Sequence, residues 1–338
     1  MKRTPPAAVV DAAEDGLASS SCPFWRALKT TAVAAGLAVG ATATANAAIS
    51  LRTPPLGNHL GGAFNRYPAR RGDIAYTVAG TGSPVLLLHG LFTGNSMAEW
   101  ANNFAALAQR HTVYAFDFLG WGLSDKLAER YAPTDFVEQV QFFVEDVIGE
   151  PCAVIASNQS GVYALEAAQR APHVFSKFVL VCPASSDDLS EELRPQSELM
   201  YTALRVPVLG TALYNAFASR RRLEEFAWHY LYFDKAHITE SLMTRYHVTA
   251  HQPGAQYAQL SLWAGLLDVD YRAAWSQLQA PALLVWGRNT LLNGLETAPE
   301  WLAFQPNARL EVFDEAMLLP HVEHPQKFND LVLRWLES

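Results

Sequence analysis

Cysteine is scarce in this chain. Three residues of 338, Cys22, Cys152 and Cys182, show neither metal-ligand spacing nor a disulfide framework. The last two sit in apolar strand-like runs and are expected as buried thiols, so no metal and no cofactor is implied. Basic residues are few as well: 25 Lys and Arg against 33 Asp and Glu leave a formal net charge of -8. That balance excludes a broad electrostatic footprint for nucleic acid. The one basic run, Arg220-Arg221-Arg222, reads as the solvated end of a helix. Internal repeats are missing, and the low-complexity tract is confined to an Ala/Thr-rich leader. A strongly apolar spanning run is missing too, because Thr31 to Ala45 is built from Ala, Thr, Val and Gly, with few large side chains.

Half of the residues are hydrophobic, enough for a substantial core and for one globular domain carrying an insertion. Residues 1–50 form the leader. Arg26 and Lys29 precede its weakly apolar stretch, and Ala45-Asn46-Ala47 closes it, the outline of an export signal with a small-residue cleavage site. Asp11, Glu14 and Asp15 in the long segment ahead of it weigh against that reading. The expectation is the cell envelope, by export or by an uncleaved membrane-associated helix, with a cytoplasmic tail as the alternative. Residues 51–70, rich in Pro, Gly and Arg, read as a linker.

From Asp73 the pattern becomes regular. Strands are expected at Ile74–Val78, Val85–Leu88, Val113–Phe116, Cys152–Ala156 and Phe178–Val181. Helices are expected at Trp100–Arg110, after a Thr134 cap, and at Gly161–Arg170. This alternation predicts an α/β domain whose mostly parallel sheet has helices on both faces. Residues 184–280 change to long, aromatic-rich helical segments. The strand pattern then resumes at Leu283–Trp286 and Leu310–Phe313. The core is therefore 71–183 with 281–338, and the helical insertion between is a lid.

Several motifs together resemble the α/β-hydrolase superfamily, in its lidded, epoxide hydrolase- and haloalkane dehalogenase-like form, over about residues 66–338. They are His89-Gly90 after an apolar strand, Asp117-Phe118-Leu119-Gly120-Trp121-Gly122-Leu123-Ser124 after the next, and the strand–turn–helix of VIASNQSGVYALEAAQRAP, Val154 to Pro172. The resemblance implies a nucleophile elbow, G-x-Nu-x-G, at that turn. Two registers compete, and the Ala164-Leu165 pair and Pro172 fit the one that puts Asn158 in the serine's place. Ala156 and Ser160 then supply the small residues the tight turn needs, and Asn tolerates the positive φ of its apex. The same comparison puts Thr290 at the acid position and Leu318 at the base position. His321 and Glu323 fit the rest of the C-terminal segment.

The resemblance further implies that His89 and Gly90 organise a turn whose following N–H groups, at Leu91 and Phe92, join that of Gln159 as an oxyanion hole. Trp228 and Trp263 are expected among the lid aromatics facing the pocket. An amide is a poor nucleophile, Thr carries no negative charge and Leu moves no proton. The expected function is thus a pseudo-hydrolase that binds a small apolar molecule, a lipid or a partner. The alternative is an enzyme using the oxyanion-hole donors, with Asn158 orienting substrate and His321 as a relocated base. Ser157 and Ser160 are expected to point into packing, Asp117 to hold its own loop, and Asp187 and Asp188 to cap the first lid helix. The sequence leaves the oligomeric state open.

Overall fold

The computed structural model describes residues 23–184 and 194–338, without the side chains of residues 23–36 and 194–196. Asp187, Asp188 and Cys22 lie outside the described residues. Eight strands form one sheet: β1 (Ala63–Ala69), β2 (Gly72–Ala79), β3 (Pro84–Leu88), β4 (Thr112–Phe116), β5 (Cys152–Ser157), β6 (Phe175–Val181), β7 (Ala282–Gly287) and β8 (Arg309–Phe313). Their order is β1-β2-β4-β3-β5-β6-β7-β8. β1 with β2 and β2 with β4 are antiparallel, and the other pairs are parallel. β3, β5 and β7 are buried along their whole length, as their unbroken apolar runs require of strands covered on both faces.

The helices are α1 (Pro23–Arg52), α2 (Phe104–Leu107), α3 (Pro133–Phe143), α4 (Gln159–Arg170), α5 (Arg194–Leu204), α6 (Leu209–Phe217), α7 (Arg220–Phe226), α8 (Glu240–Ala250), α9 (Ala255–Trp263), α10 (Arg272–Gln277), α11 (Ala298–Phe304), α12 (Pro320–Glu323) and α13 (Pro325–Glu337). α5 to α10 stand between β6 and β7 and form the helical insertion. α3 begins at Pro133 with Ala132 as its cap, so Thr134 lies inside the first turn instead of capping it. The expected helix at Trp100–Arg110 is instead a 3₁₀ turn, Met97–Asn102, followed by the short α2.

One feature departs from the linker reading, and a second describes the leader. Residues 63–69 are an edge strand: the pairing of Tyr67 with Ile74 and Ala69 with Gly72 closes a hairpin onto β2. Its residues are mostly exposed, so no apolar alternation marks it in the sequence. Upstream, α1 runs through the leader to Arg52. Asn46 Nδ2 donates to the Val208 carbonyl at 2.9 Å, and Asn215 Nδ2 donates to Asn46 Oδ1 at 3.0 Å, tying α1 to α6. No helix among the described residues is long and apolar enough to cross a membrane.

Candidate functional site

The elbow is built where β5 delivers the chain straight into α4. Asn158 sits at the apex with φ 56° and ψ -125°, a conformation costly to side chains with branching at Cβ. Its Nδ2 donates to Ser157 Oγ at 2.8 Å, and its Oδ1 accepts a long contact from Asn293 Nδ2 at 3.4 Å. Asn293 also donates to the Cys182 carbonyl at 3.1 Å. The loop after β7 therefore brings Asn293 to the elbow, three residues beyond the expected Thr290. The Thr290 hydroxyl instead donates to the Leu292 carbonyl of its own loop at 2.7 Å. Leu318 is buried in the segment ahead of α12 as one more member of the hydrophobic core. Ser157 and Ser160 are fully buried, with Ser160 Oγ donating to the carbonyls of Ser157 and Leu88.

The strongest electrostatic feature is one the sequence reading missed. Glu99, in the 3₁₀ turn after β3, has a wholly buried side chain whose Oε1 lies 2.9 Å from His321 Nε2, itself wholly buried. The approach is out of line for a hydrogen bond, so Oε1 and both ring nitrogens are in close contact without a full one. Glu99 Oε2 accepts the Gly90 N–H at 3.0 Å and the Asn95 amide. Burial alone would raise the Glu99 carboxyl. Its contacts with His321, Asn95 and Ser157 outweigh burial and hold it below the usual glutamate range. A Cβ added at Gly90 would lie 2.9 Å from Asn158 Nδ2, 3.3 Å from Ser157 Oγ and 3.5 Å from Glu99 Oε2. Gly90 is thus the spot where elbow and carboxylate converge, and any side chain there would force them apart.

The His321 ring packs against that of Trp100, tilted by 30° with centroids 4.3 Å apart, and its carbonyl accepts from Asn103 Nδ2 at 3.0 Å. As a relocated base it would have to reach the elbow, yet it faces Glu99 from within the core. A Ser–His–acid relay needs the imidazole between hydroxyl and carboxylate. Here the carboxylate contacts both Ser157 and the imidazole. No sequence signal marked Glu99, because an acidic residue at the first turn of a helix ordinarily favours the dipole and faces solvent.

His89 and Gly90 are engaged in contacts within the protein. His89 is fully buried; its Nε2 accepts the Phe118 N–H at 3.2 Å and its Nδ1 lies 2.9 Å from the Gly90 carbonyl. Both ring nitrogens therefore have partners within the protein. Asp117 accepts the N–H groups of Met97 and Leu123, both at 2.6 Å, and so holds the glycine-rich loop. Gly122, at φ 46°, passes so near that carboxylate that a Cβ would come within 2.0 Å of it.

The N–H groups of Leu91, Phe92 and Gln159 have no acceptor among the described residues. Leu91 and Phe92 also form one wall of a cavity of about 410 Å³ whose other wall is the insertion, through Phe217, Leu223, Phe226 and Trp263. Trp263 lines this cavity, whereas Trp228 is 53 % exposed, with Lys235 Nζ 5.4 Å from its ring centroid. The Gln159 side chain is spent on the insertion. Its Nε2 and the Tyr163 hydroxyl both donate to the Leu267 carbonyl, at 3.1 and 2.8 Å. No group of His, Cys, Asp and Glu able to hold a metal ion occurs among the described residues.

A model of the alpha/beta hydrolase fold family matches residues 83–325. The chain belongs to that family. Among curated relatives, a 2-hydroxy-6-oxononadienedioate/2-hydroxy-6-oxononatrienedioate hydrolase of Burkholderia vietnamiensis is 28 % identical over 274 residues, covering 78 % of this chain and 90 % of the relative. An uncharacterised protein of Mycobacterium tuberculosis is 24 % identical over 270 residues, 78 % of each chain. Among solved structures, a meta-cleavage product hydrolase of Pseudomonas fluorescens superposes with a TM-score of 0.65 at 21 % identity, covering 82 % of this chain and 98 % of that one. These likenesses cover the α/β core and its insertion, and the structural one speaks for the fold alone.

Proposed function

We propose that this protein is a non-hydrolytic member of the α/β-hydrolase family that binds a small apolar molecule between its core and its helical insertion. The observation that carries the reading is Asn158 itself. At the strained apex where an attacking oxygen would stand, there is an amide already engaged with Ser157 and Asn293. An amide neither titrates near neutral pH nor attacks an ester. The nearest hydroxyl, Ser157, is fully buried and touches a carboxylate, not an imidazole. The cavity supplies the other half of the argument: Leu91, Phe92 and Thr93 of the core face a mostly aromatic and aliphatic wall of the insertion across an open cleft, with Arg222 and Gln259 as its polar members, a lining suited to a mostly apolar ligand. The rival, proton transfer by His321 onto a substrate held by Asn158, is disfavoured by the burial of that imidazole against Trp100 and Glu99. The relatives named for hydrolase activity support the scaffold and leave its use in this chain to the site.

Equilibrium dialysis of the purified chain against 1-naphthyl acetate tests both halves at once. The expected result is retained ester, no 1-naphthol above the level of an Asn158→Ala variant, and weaker retention by Trp263→Ala. Turnover by the parent that Asn158→Ala abolishes would overturn the non-hydrolytic reading, and retention unaffected by Trp263→Ala would overturn the ligand site.

A further inference from the structure

α6 is apolar on its outward face as well as on its inward one. Gly210 and Tyr214 face the protein, while Leu209, Leu213 and Phe217, at every fourth position, are each about half exposed. On α5 and its connection to α6, Leu199, Met200 and Val206 are also exposed. From Val206 to Ser219 the chain has no charged residue. Isolated exposed apolar side chains are ordinary, but a contiguous row of this kind on one surface marks an interaction face.

Beside it lies α1, charge-free from Thr30 to Leu51, held to α6 through Asn46 and carrying the exposed Leu37, Val39 and Leu51. α1 is too weakly apolar to cross a bilayer, yet nothing on it from Thr30 onward resists lying at the boundary of one. The same row reaches the cavity: Phe217, 56 % exposed, is both the last member of the row and part of the cavity wall, and the exposed Arg222 lines that wall next to it. Tyr230, also exposed, packs its ring 5.4 Å from Phe226 on the same wall, and Trp228 is exposed nearby in sequence. An exposed Tyr on the wall that an apolar row reaches is a composition that settles at a membrane–water boundary.

We infer that the outer face of α5 and α6, together with the C-terminal part of α1, docks on a lipid bilayer and sets the mouth of the apolar cavity against it. A second copy of the chain is the less suitable cover, because it would close the cavity at Phe217, whereas a bilayer is itself a reservoir of apolar ligands. Arg221 and Arg222 share Glu225, so this corner carries little net positive charge, and the chain as a whole stands at -8. Burial of apolar side chains, not headgroup charge, is therefore the driving term, and zwitterionic vesicles suffice. The choice of a bilayer over a second copy rests on the ligand cavity of the proposed function, whereas docking stands apart from the non-hydrolytic reading of the elbow.

The test is flotation of the full chain with phosphatidylcholine vesicles, with and without phosphatidylglycerol, alongside sedimentation velocity without lipid. The parent is expected to float with both vesicle types. The double variant Leu209→Glu/Leu213→Glu should keep the parent's melting temperature and lose on the order of tenfold or more in partitioning. Phe304→Glu, on α11 far along the chain, should float like the parent. A parent that stays with the protein fraction, or a double variant that floats as well as the parent, overturns the inference. A lipid-free dimer that the double variant dissolves, with no vesicle binding by either, overturns it in favour of self-association.

Discussion

Glu99 and His321, 222 positions apart in sequence, meet at 2.9 Å with neither side chain exposed to water. Desolvating two ionisable groups is costly, and the cost is offset only if both stay paired. His321→Ala is therefore expected to destabilise by about 3–5 kcal/mol, since it leaves the Glu99 carboxylate buried without its partner. Replacing both, as Glu99→Gln with His321→Gln, should cost less than the sum of the single changes. Urea unfolding of the four proteins measures the coupling. Additive effects would mean that the two groups do not share a charge contact.

The same pair predicts a pH dependence. The folded state holds the Glu99 carboxyl below its ordinary range, so the unfolded chain binds its proton more readily. The resulting stability is fully present above the unfolded glutamate value of about 4.3 and is lost as pH falls through the lower folded-state value. Thermal melts from pH 7 down to pH 3 should fall more steeply for the parent than for Glu99→Gln. Parallel curves would remove Glu99 as a source of acid sensitivity.

Backbone strain at Asn158 gives a second measurable quantity. At φ 56° and ψ -125° glycine is relaxed, while alanine keeps the strain and loses the amide contacts. Asn158→Gly is expected to be more stable than Asn158→Ala by about 1–2 kcal/mol, whatever the net effect of losing the amide. Chemical denaturation of both variants decides it. Equal stability would show that the apex relaxes in solution.

Glu323 staples the C-terminal segment to the insertion. Its Oε1 accepts from the Phe233 and Asp234 N–H groups at 2.6 and 3.1 Å, and its Oε2 from the Met317 N–H at 2.8 Å. Glu323→Ala strands three backbone donors, and a loss of roughly 2–4 kcal/mol is expected. Hydrogen exchange should quicken first at residues 233–234 and 317. Exchange that quickens evenly over the whole chain would argue against a local staple.

If Asn158, Thr290 and Leu318 occupy the three triad places, then Asn158→Ser, Thr290→Asp and Leu318→His together should create weak esterase activity on short activated esters. Members of such a set act as a unit, so the single changes should give none. Leu318→His alone buries an unpaired imidazole at a cost of about 1–3 kcal/mol, which Thr290→Asp should partly recover. A folded triple variant with no Asp–His coupling and no hydrolysis would show that the positions do not converge. Asn293→Asp in place of Thr290→Asp is the next variant to make, because Asn293 is the loop residue in contact with the elbow.

Periodicity alone carried most of the α/β core. Short unbroken apolar runs such as Val85–Leu88 and Leu283–Trp286, bounded by turn residues, are typical of strands covered on both faces, and the change to long helical segments after β6 marks the insertion. Asn158 was legible for a local reason, since the strand–turn–helix pattern is contiguous and its apex conformation follows from the turn. What the sequence could not reveal depends on contacts between distant segments. β1 is a strand because β2 offers it an edge, not because of its own pattern. Glu99 and Asn293 look like ordinary surface polar residues until the sheet order brings the loops after β3 and β7 to the elbow. Trp228 and Trp263 are alike in sequence, yet folding leaves one in water and puts the other in the cavity wall. Local pattern sets which elements form, because hydrogen bonding and side-chain direction are local; which polar side chains become a site is set by packing, because only packing removes them from water.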